Sequence, residues 1–220
     1  MNWRFLWTII AVVSVLIGCV VSKASYEVMS ASLVGVLFVL GVSFKKPSAN
    51  LLGALLCGML AWMSWQAGFF MNAIINLFLL LPMQLIAYAT WVTNVTHRTE
   101  HKSLVEKVVS KRWWIYTAWL IPLLVAAYFS GSHLWVHDAV TASLVIVATI
   151  LLMFNVREQW QFWIPYNAIE VFMWFVAASA APEMLAIMLM RVVFFTNSII
   201  GYFEWRHDGS PRTLLSTETR

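Results

Sequence analysis

Five residues between positions 160 and 174 carry side chains able to hold a flat, polar, ring-bearing solute: Trp160, Trp163, Asn167, Glu170 and Trp174. Their spacings of three, four, three and four residues place them in one stripe along a single helix face. Indole faces stack on planar rings and attract cationic ones. An amide and a carboxylate within the same stripe can fix hydroxyls and amides by hydrogen bonds. Such a face suits lipid poorly and suits one wall of a permeation site well.

A second ionisable residue, Arg191, stands at similar depth on the next apolar segment. Glu170 is about 16 Å and Arg191 about 12 Å along their helices at 1.5 Å per residue. An ionised group at that depth in a bilayer costs roughly 2.5–3.5 kcal/mol unless paired. Two readings of Glu170 and Arg191 stand side by side: a structural pair locking two helices, or direct contact with a solute. Ser198 and Tyr202 share the Arg191 face with Phe195 and Trp205, with Asn197 beside it. Gln84, Tyr88 and Trp91 form a matching face earlier in the chain, with Asn76 one stretch before them. Deep amides at Asn76, Gln84, Asn167 and Asn197 serve either as glue between helices or as the lining of a shared polar cavity. Tyr88, Trp91, Tyr202 and Trp205 fall near a membrane boundary, where such residues also act as belt anchors. Pro82 and Pro165 each remove a backbone donor and can bend their helices.

The elements that must position these groups follow from composition. The chain has 220 residues, is 61% hydrophobic and only 11% charged, with a mean hydropathy of +0.78. That excludes a soluble domain and implies a multi-pass membrane protein built of helices. Eight apolar segments are predicted at 3–22, 28–44, 49–67, 70–92, 113–130, 138–156, 159–180 and 183–205. With eight spans, Arg4, Lys45, Lys46, Arg98, Lys102, Lys107, Lys111, Arg112, Arg157, Arg206, Arg212 and Arg220 all fall on one side, and Lys23 alone on the other. This positive-inside bias places both termini in the cytoplasm. The basic loop after the fourth span sets topology and touches anionic lipid heads.

The chain also repeats itself. The run from Ser30 to Val36 matches that from Thr141 to Val147, and Tyr88 to Trp91 matches Tyr202 to Trp205. The expected architecture is all-α: two parallel three-helix repeats joined by a linker helix (3+1+3), plus an extra N-terminal helix. Its parts are 1–27, the extra helix; 28–92, the first triplet; 93–130, a basic loop and the linker; 131–205, the second triplet; and 206–220, a cytoplasmic tail. In this plan the substrate sits between the triplets near midplane.

Several chemistries lack their signatures. There is no phosphate-binding glycine loop, dinucleotide fingerprint or zinc-protease motif, and nothing suggests nucleic-acid binding. Cys19 and Cys57 fall inside apolar segments and read as small hydrophobes. His97, His101, His133, His137 and His207 are in loops without ligand spacing, so no metal and no cofactor is expected. Asp138 and Glu158 stand at segment ends with no evident partner for catalysis. The sequon at Asn94 is discounted because it falls on the cytoplasmic side. The first segment reads as a retained helix rather than a cleaved signal.

These residues are similar to those of the PnuC family of bacterial vitamin B3 transporters. The likeness rests on the stretch from Asn76 through Pro82 and Gln84 to Trp91, on Glu158, Trp160, Trp163 and Asn167, and on Arg191 with Asn197, Tyr202 and Trp205. One departure is Ala87, where the family's Gln-x-x-Gly stretch has glycine. The resemblance implies a fold like that of SWEET sugar transporters, a homotrimer, and residence in the bacterial inner membrane. It implies carriage of nicotinamide riboside by facilitated diffusion, with a cytosolic kinase trapping the product and no ion or nucleotide coupling. A SWEET-like sugar carrier or another nucleoside carrier is the alternative, since sugars also stack on indoles. A membrane-embedded enzyme would need a nucleophile with its base, or clustered metal ligands.

Overall fold

The computed structural model describes residues 3–93, 102–132 and 134–207. Backbone groups within lipid must find partners in their own segment, and each apolar segment is helical. In chain order the helices are α1 (Trp3–Val21), α2 (Tyr26–Ser43), α3 (Ala49–Gln66), α4 (Phe70–Ile75), α5 (Leu81–Thr93), α6 (Lys102–Ser130), α7 (Trp135–Met153), α8 (Trp160–Ala180) and α9 (Leu185–His207). A π-helical segment, Asn76–Leu80, joins α4 to α5, so the described helices form eight rods. No strand occurs among the described residues. Residues 94–101 of the basic loop with the sequon at Asn94, His97 and His101, together with His133 and the tail beyond 207, lie outside the described residues.

Five stretches are long and apolar enough to cross a bilayer: Tyr26–Ser43, Phe70–Thr93, Lys107–Ser130, Trp135–Met153 and Pro182–Trp205. α1 contributes a shorter apolar run, Phe5–Val21. α3 and α8 are more polar, and their Asn50, Ser64, Asn167 and Glu170 are all buried against other helices. The helix predicted at 113–130 begins at Lys102 instead. Lysine and glutamate lower hydropathy without opposing helix formation, so the rod runs on past its apolar part.

Six rods close a ring. α2 packs on α3, α3 on α5, α5 on α7, α7 on α8, α8 on α9, and α9 back on α2. α1 packs outside against α2 and α9, and α6 lies outside against α7 and α4. The position of α7 explains its composition. It meets four neighbours, and its Thr141 to Ala148 run is buried throughout, which requires an apolar surface all round. The apolar part of α6 is only 11% buried, and Trp114 and Phe129 on it are exposed, as fits a surface that meets acyl chains.

α1, α2, α3 and α7 end alike, at a residue of positive φ: Lys23, Lys45, Gly68 and Asn155. α2 closes with Lys45 at φ 55° and α7 with Asn155 at φ 55°. In both, the left-handed residue donates three residues back and its successor five back: Lys45 N to Val42 O and Lys46 N to Gly41 O, Asn155 N to Leu152 O and Val156 N to Leu151 O. This double bond satisfies the last carbonyls of a helix. Just beyond, Asn50 and Gln159, both fully buried, donate their side-chain amides to Pro47 O and Val156 O.

The π segment sits directly before Pro82. Proline has no N–H, and its ring crowds the carbonyl four residues back. The wider turn resolves the conflict, and Leu81 N bonds to Asn76 O. Such bulges are the usual local answer to a break in the α ladder.

Candidate functional site

Glu170 is fully buried in the middle of α8, and each of its oxygens is engaged from a different side. Oε2 lies 2.9 Å from Arg191 Nη2 on α9 and accepts from Trp174 Nε1 at 3.0 Å. Oε1 accepts from Asn72 Nδ2 on α4 at 2.8 Å. Arg191 is 1% exposed, and its Nη1 donates to Tyr166 OH at 3.3 Å. Its guanidinium carbon lies 5.8 Å from the Tyr166 ring and 5.6 Å from that of Phe194. The ion pair is close but not well aligned: neither Nη2 nor Nε of Arg191 makes a directed hydrogen bond. A buried charge pair holds only when both members are compensated. Here Trp174, Asn72 and Tyr166 supply the additional contacts.

Two more residues of the stripe, Asn167 and Trp160, lie on the seam between α8 and α9. Asn167 donates to Ser198 Oγ at 2.8 Å, and Ser198 in turn donates to Phe194 O at 2.8 Å. Trp160 packs edge-on to Trp205 at 5.7 Å. It fits because residue 201 is glycine: a Cβ there would stand 2.5 Å from the indole. Trp174 meets Phe69 edge-on at 5.8 Å. Trp163 is half-buried and packs against both of the protein's apolar clusters. Its Nε1 donates to Gln159 Oε1 at 3.2 Å, and its ring lies 5.5 Å from that of Tyr166.

Across the ring, Asn76 donates to Asn72 O at 2.8 Å and also to Asn72 Oδ1. Gln84 is buried against Gly53 of α3, and Tyr88 is half-buried one turn further. Trp91, its neighbour in the repeat, donates to Leu152 O at 2.8 Å and so ties α5 to α7. Asn197 points elsewhere. Its Nδ2 donates to Val39 O at 3.1 Å and Ser43 Oγ at 2.6 Å, and its Oδ1 accepts from Trp7 Nε1 at 3.2 Å. Both ends of that amide bind α9 to α2 and α1, because one residue along a helix turns a side chain about 100° from Ser198. Tyr202 is half-buried, with its ring 5.4 Å from Phe203.

Three buried polar groups of this neighbourhood are additional to the expected set. Asn72 precedes Asn76 by four residues, so helical spacing alone marks it as sharing that face. Tyr166 adjoins Asn167, but only the fold turns it toward Arg191. Asp138, read from sequence as lacking a partner for catalysis, accepts three hydrogen bonds: from Met71 N at 3.1 Å, Asn72 N at 2.9 Å and Ser132 Oγ at 2.8 Å. The first two come from α4, distant in the chain, and the third from the turn just before α7. Several buried polar atoms retain unused capacity: Gln84 Oε1, Asn167 Oδ1 and Arg191 Nε. Buried groups of this kind are uncommon, and they also occur away from the stripe, at Asn50, Ser64 and Thr149.

Among the described residues, no three His, Cys, Asp or Glu side chains gather as a metal site would require. The site offers aromatic faces, amides and a compensated ion pair, which is equipment for binding. The family model described as nicotinamide mononucleotide transporter matches residues 25–207. The chain is 29% identical over 199 residues to the nicotinamide riboside transporter PnuC of Neisseria mucosa, covering 81% of this chain and 73% of that one. It is 26% identical over 211 residues to the nicotinamide riboside transporter PnuC of Haemophilus influenzae, covering 92% and 89%. A crystal structure of the vitamin B3 transporter PnuC superposes with a TM-score of 0.76 at 25% identity, covering 94% of this chain and 92% of that one. The resemblance carried by Asn76, Gln84, Trp163, Asn167 and Arg191 is therefore borne out: the chain belongs to the PnuC family, whose family model is described as nicotinamide mononucleotide transporter, and it is a multi-pass membrane transporter rather than an enzyme.

Proposed function

We propose that this transporter carries nicotinamide riboside, taken up as a precursor of the nicotinamide cofactors. The observation that carries the reading is the buried Glu170 to Arg191 contact of 2.9 Å, which Trp174 joins, on the helix that also carries Trp163 and Asn167. The pyridinium ring of the riboside favours aromatic faces. Its ribose hydroxyls and carboxamide match the unused amide oxygens of Gln84 and Asn167. A mononucleotide would bring a phosphate, and phosphate needs a free cation. Arg191 is held by Glu170, so the site favours the riboside over its phosphorylated form. Substrate-binding roles go to Trp160, Trp163, Asn167, Glu170 and Trp174 on α8, to Asn76, Gln84 and Tyr88 from the first half, and to Arg191, Ser198 and Tyr202 on α9. Asn197 supports the wall from behind.

In this reading the triplets 28–92 and 131–205 rock about the enclosed site, α6 links them, and α1 is an added buttress. Transport is facilitated diffusion, made unidirectional by a cytosolic riboside kinase. The protein resides in the bacterial inner membrane as a homotrimer with both termini cytoplasmic. Calorimetric titration of the purified protein with nicotinamide riboside, nicotinamide mononucleotide and hexoses tests it. Riboside binding with the others silent supports the reading. Binding of hexose alone would replace it with a sugar carrier.

A further inference from the structure

Asp138 lies in the first turn of α7 and is fully buried. It holds the two backbone amides of Met71 and Asn72. These belong to the first turn of α4, which has no side-chain cap of its own. A carboxylate on one helix thus closes the start of another. A neutral hydroxyl could do so at smaller desolvation cost. The corresponding position of the sequence repeat is not buried. Ser30 aligns with Thr141, so Asp138 aligns with Glu27, and Glu27 is exposed.

What distinguishes the Asp138 contact is what lies on the same residue it grips. Asn72 gives its backbone N–H to Asp138 at 2.9 Å and its side-chain amide to Glu170 at 2.8 Å. Asn76 braces the same side chain from the next turn. We propose that Asp138 is a positioning residue of the transport site: it sets the first turn of α4 so that Asn72 fixes Glu170, and through Glu170 the orientation of Arg191 and Trp174. The proposal rests on the assignment of Glu170 to the riboside site.

The test is a double-mutant cycle on the full-length purified protein, reading riboside affinity by calorimetry and the thermal unfolding midpoint in parallel. Asp138→Asn keeps the volume and places an NH2 group among donors. Asp138→Asn and Asn72→Ala should each weaken binding about tenfold. The double variant should bind no more weakly than Asn72→Ala alone, because the two act in series. A lowered midpoint with unchanged affinity, or losses that multiply to about a hundredfold, would overturn the proposal. Should Asp138→Asn not fold, Ser132→Ala removes one of the three donors. It should then cost a few-fold in affinity, and that cost should vanish in the Asn72→Ala background; persistence there overturns the proposal equally. A wild-type protein that binds no riboside overturns the riboside reading, and this proposal with it.

Discussion

Replacing Glu170 by glutamine tests the centre of the site. The side chain keeps its size but loses its charge, and one oxygen becomes a donor. Every group facing Glu170 is itself a donor: Asn72 Nδ2 at 2.8 Å, Trp174 Nε1 at 3.0 Å and Arg191 Nη2 at 2.9 Å. Wherever the new NH2 points, it opposes a hydrogen, unless Asn72 and then Asn76 both flip. Arg191, 1% exposed, is left as an uncompensated charge. Breaking one side of a buried pair costs about 3–5 kcal/mol. Transfer scales for arginine at membrane depth give the lower end of that range, about 3 kcal/mol. At roughly 2–4 °C per kcal/mol for a chain of this length, the unfolding midpoint in detergent should fall by about 6–12 °C, with riboside affinity reduced at least tenfold. The companion variant, Glu170→Met with Arg191→Met, should recover most of the midpoint without recovering affinity, since an apolar pair needs no compensation. A glutamine variant that melts within about 2 °C of wild type and binds normally would remove Glu170 from both roles.

Three further outcomes are expected. Trp163→Ala should weaken riboside binding by the roughly 1–3 kcal/mol that one stacked ring contributes, while Trp114→Ala on the exposed face of α6 leaves calorimetric affinity unchanged. Gly201→Ala should push Trp160 away from α9 and cost about 1–3 kcal/mol by overpacking, seen as a lower melting midpoint. In a background lacking Cys19 and Cys57, a membrane-impermeant thiol reagent applied to intact cells should label Glu183→Cys and spare Ser110→Cys; the reverse pattern would invert the proposed orientation.

Much of the site was legible because membrane sequences make polar residues conspicuous. Glu170 and Arg191 stand out in apolar segments, and the α8 stripe follows from spacing alone. The internal sequence match stands out for a similar reason, since Tyr88 with Trp91 and Tyr202 with Trp205 recur at the same spacing. What could not be read was direction around a helix axis once a neighbour had to be known. Asn197 and Ser198 are adjacent, yet one ties α9 to α2 and the other meets Asn167. Asp138 looked isolated because two of its three partners are backbone amides of α4, which no residue type announces. The π segment was hidden too: Pro82 foretells a disturbance, but not whether the rod bends or widens.

That widened turn has a consequence for how one rod serves two sides of the ring. An α-helix advances about 100° per residue, so a surplus residue would rotate everything beyond it unless a wider turn absorbs it. With five residues in the wide turn from Asn76 to Leu80, the α4 part presents Asn72 to α8 while the α5 part lays Gln84 on Gly53 of α3. Excising a single residue there would leave the rod unbroken and its apolar length nearly the same. Because a π turn holds one residue more than an α turn over nearly the same rotation, the shortened rod would keep Asn72 facing α8. The wide turn therefore absorbs a surplus residue without changing the azimuth of either part, and what its removal would forfeit is the room it makes before Pro82.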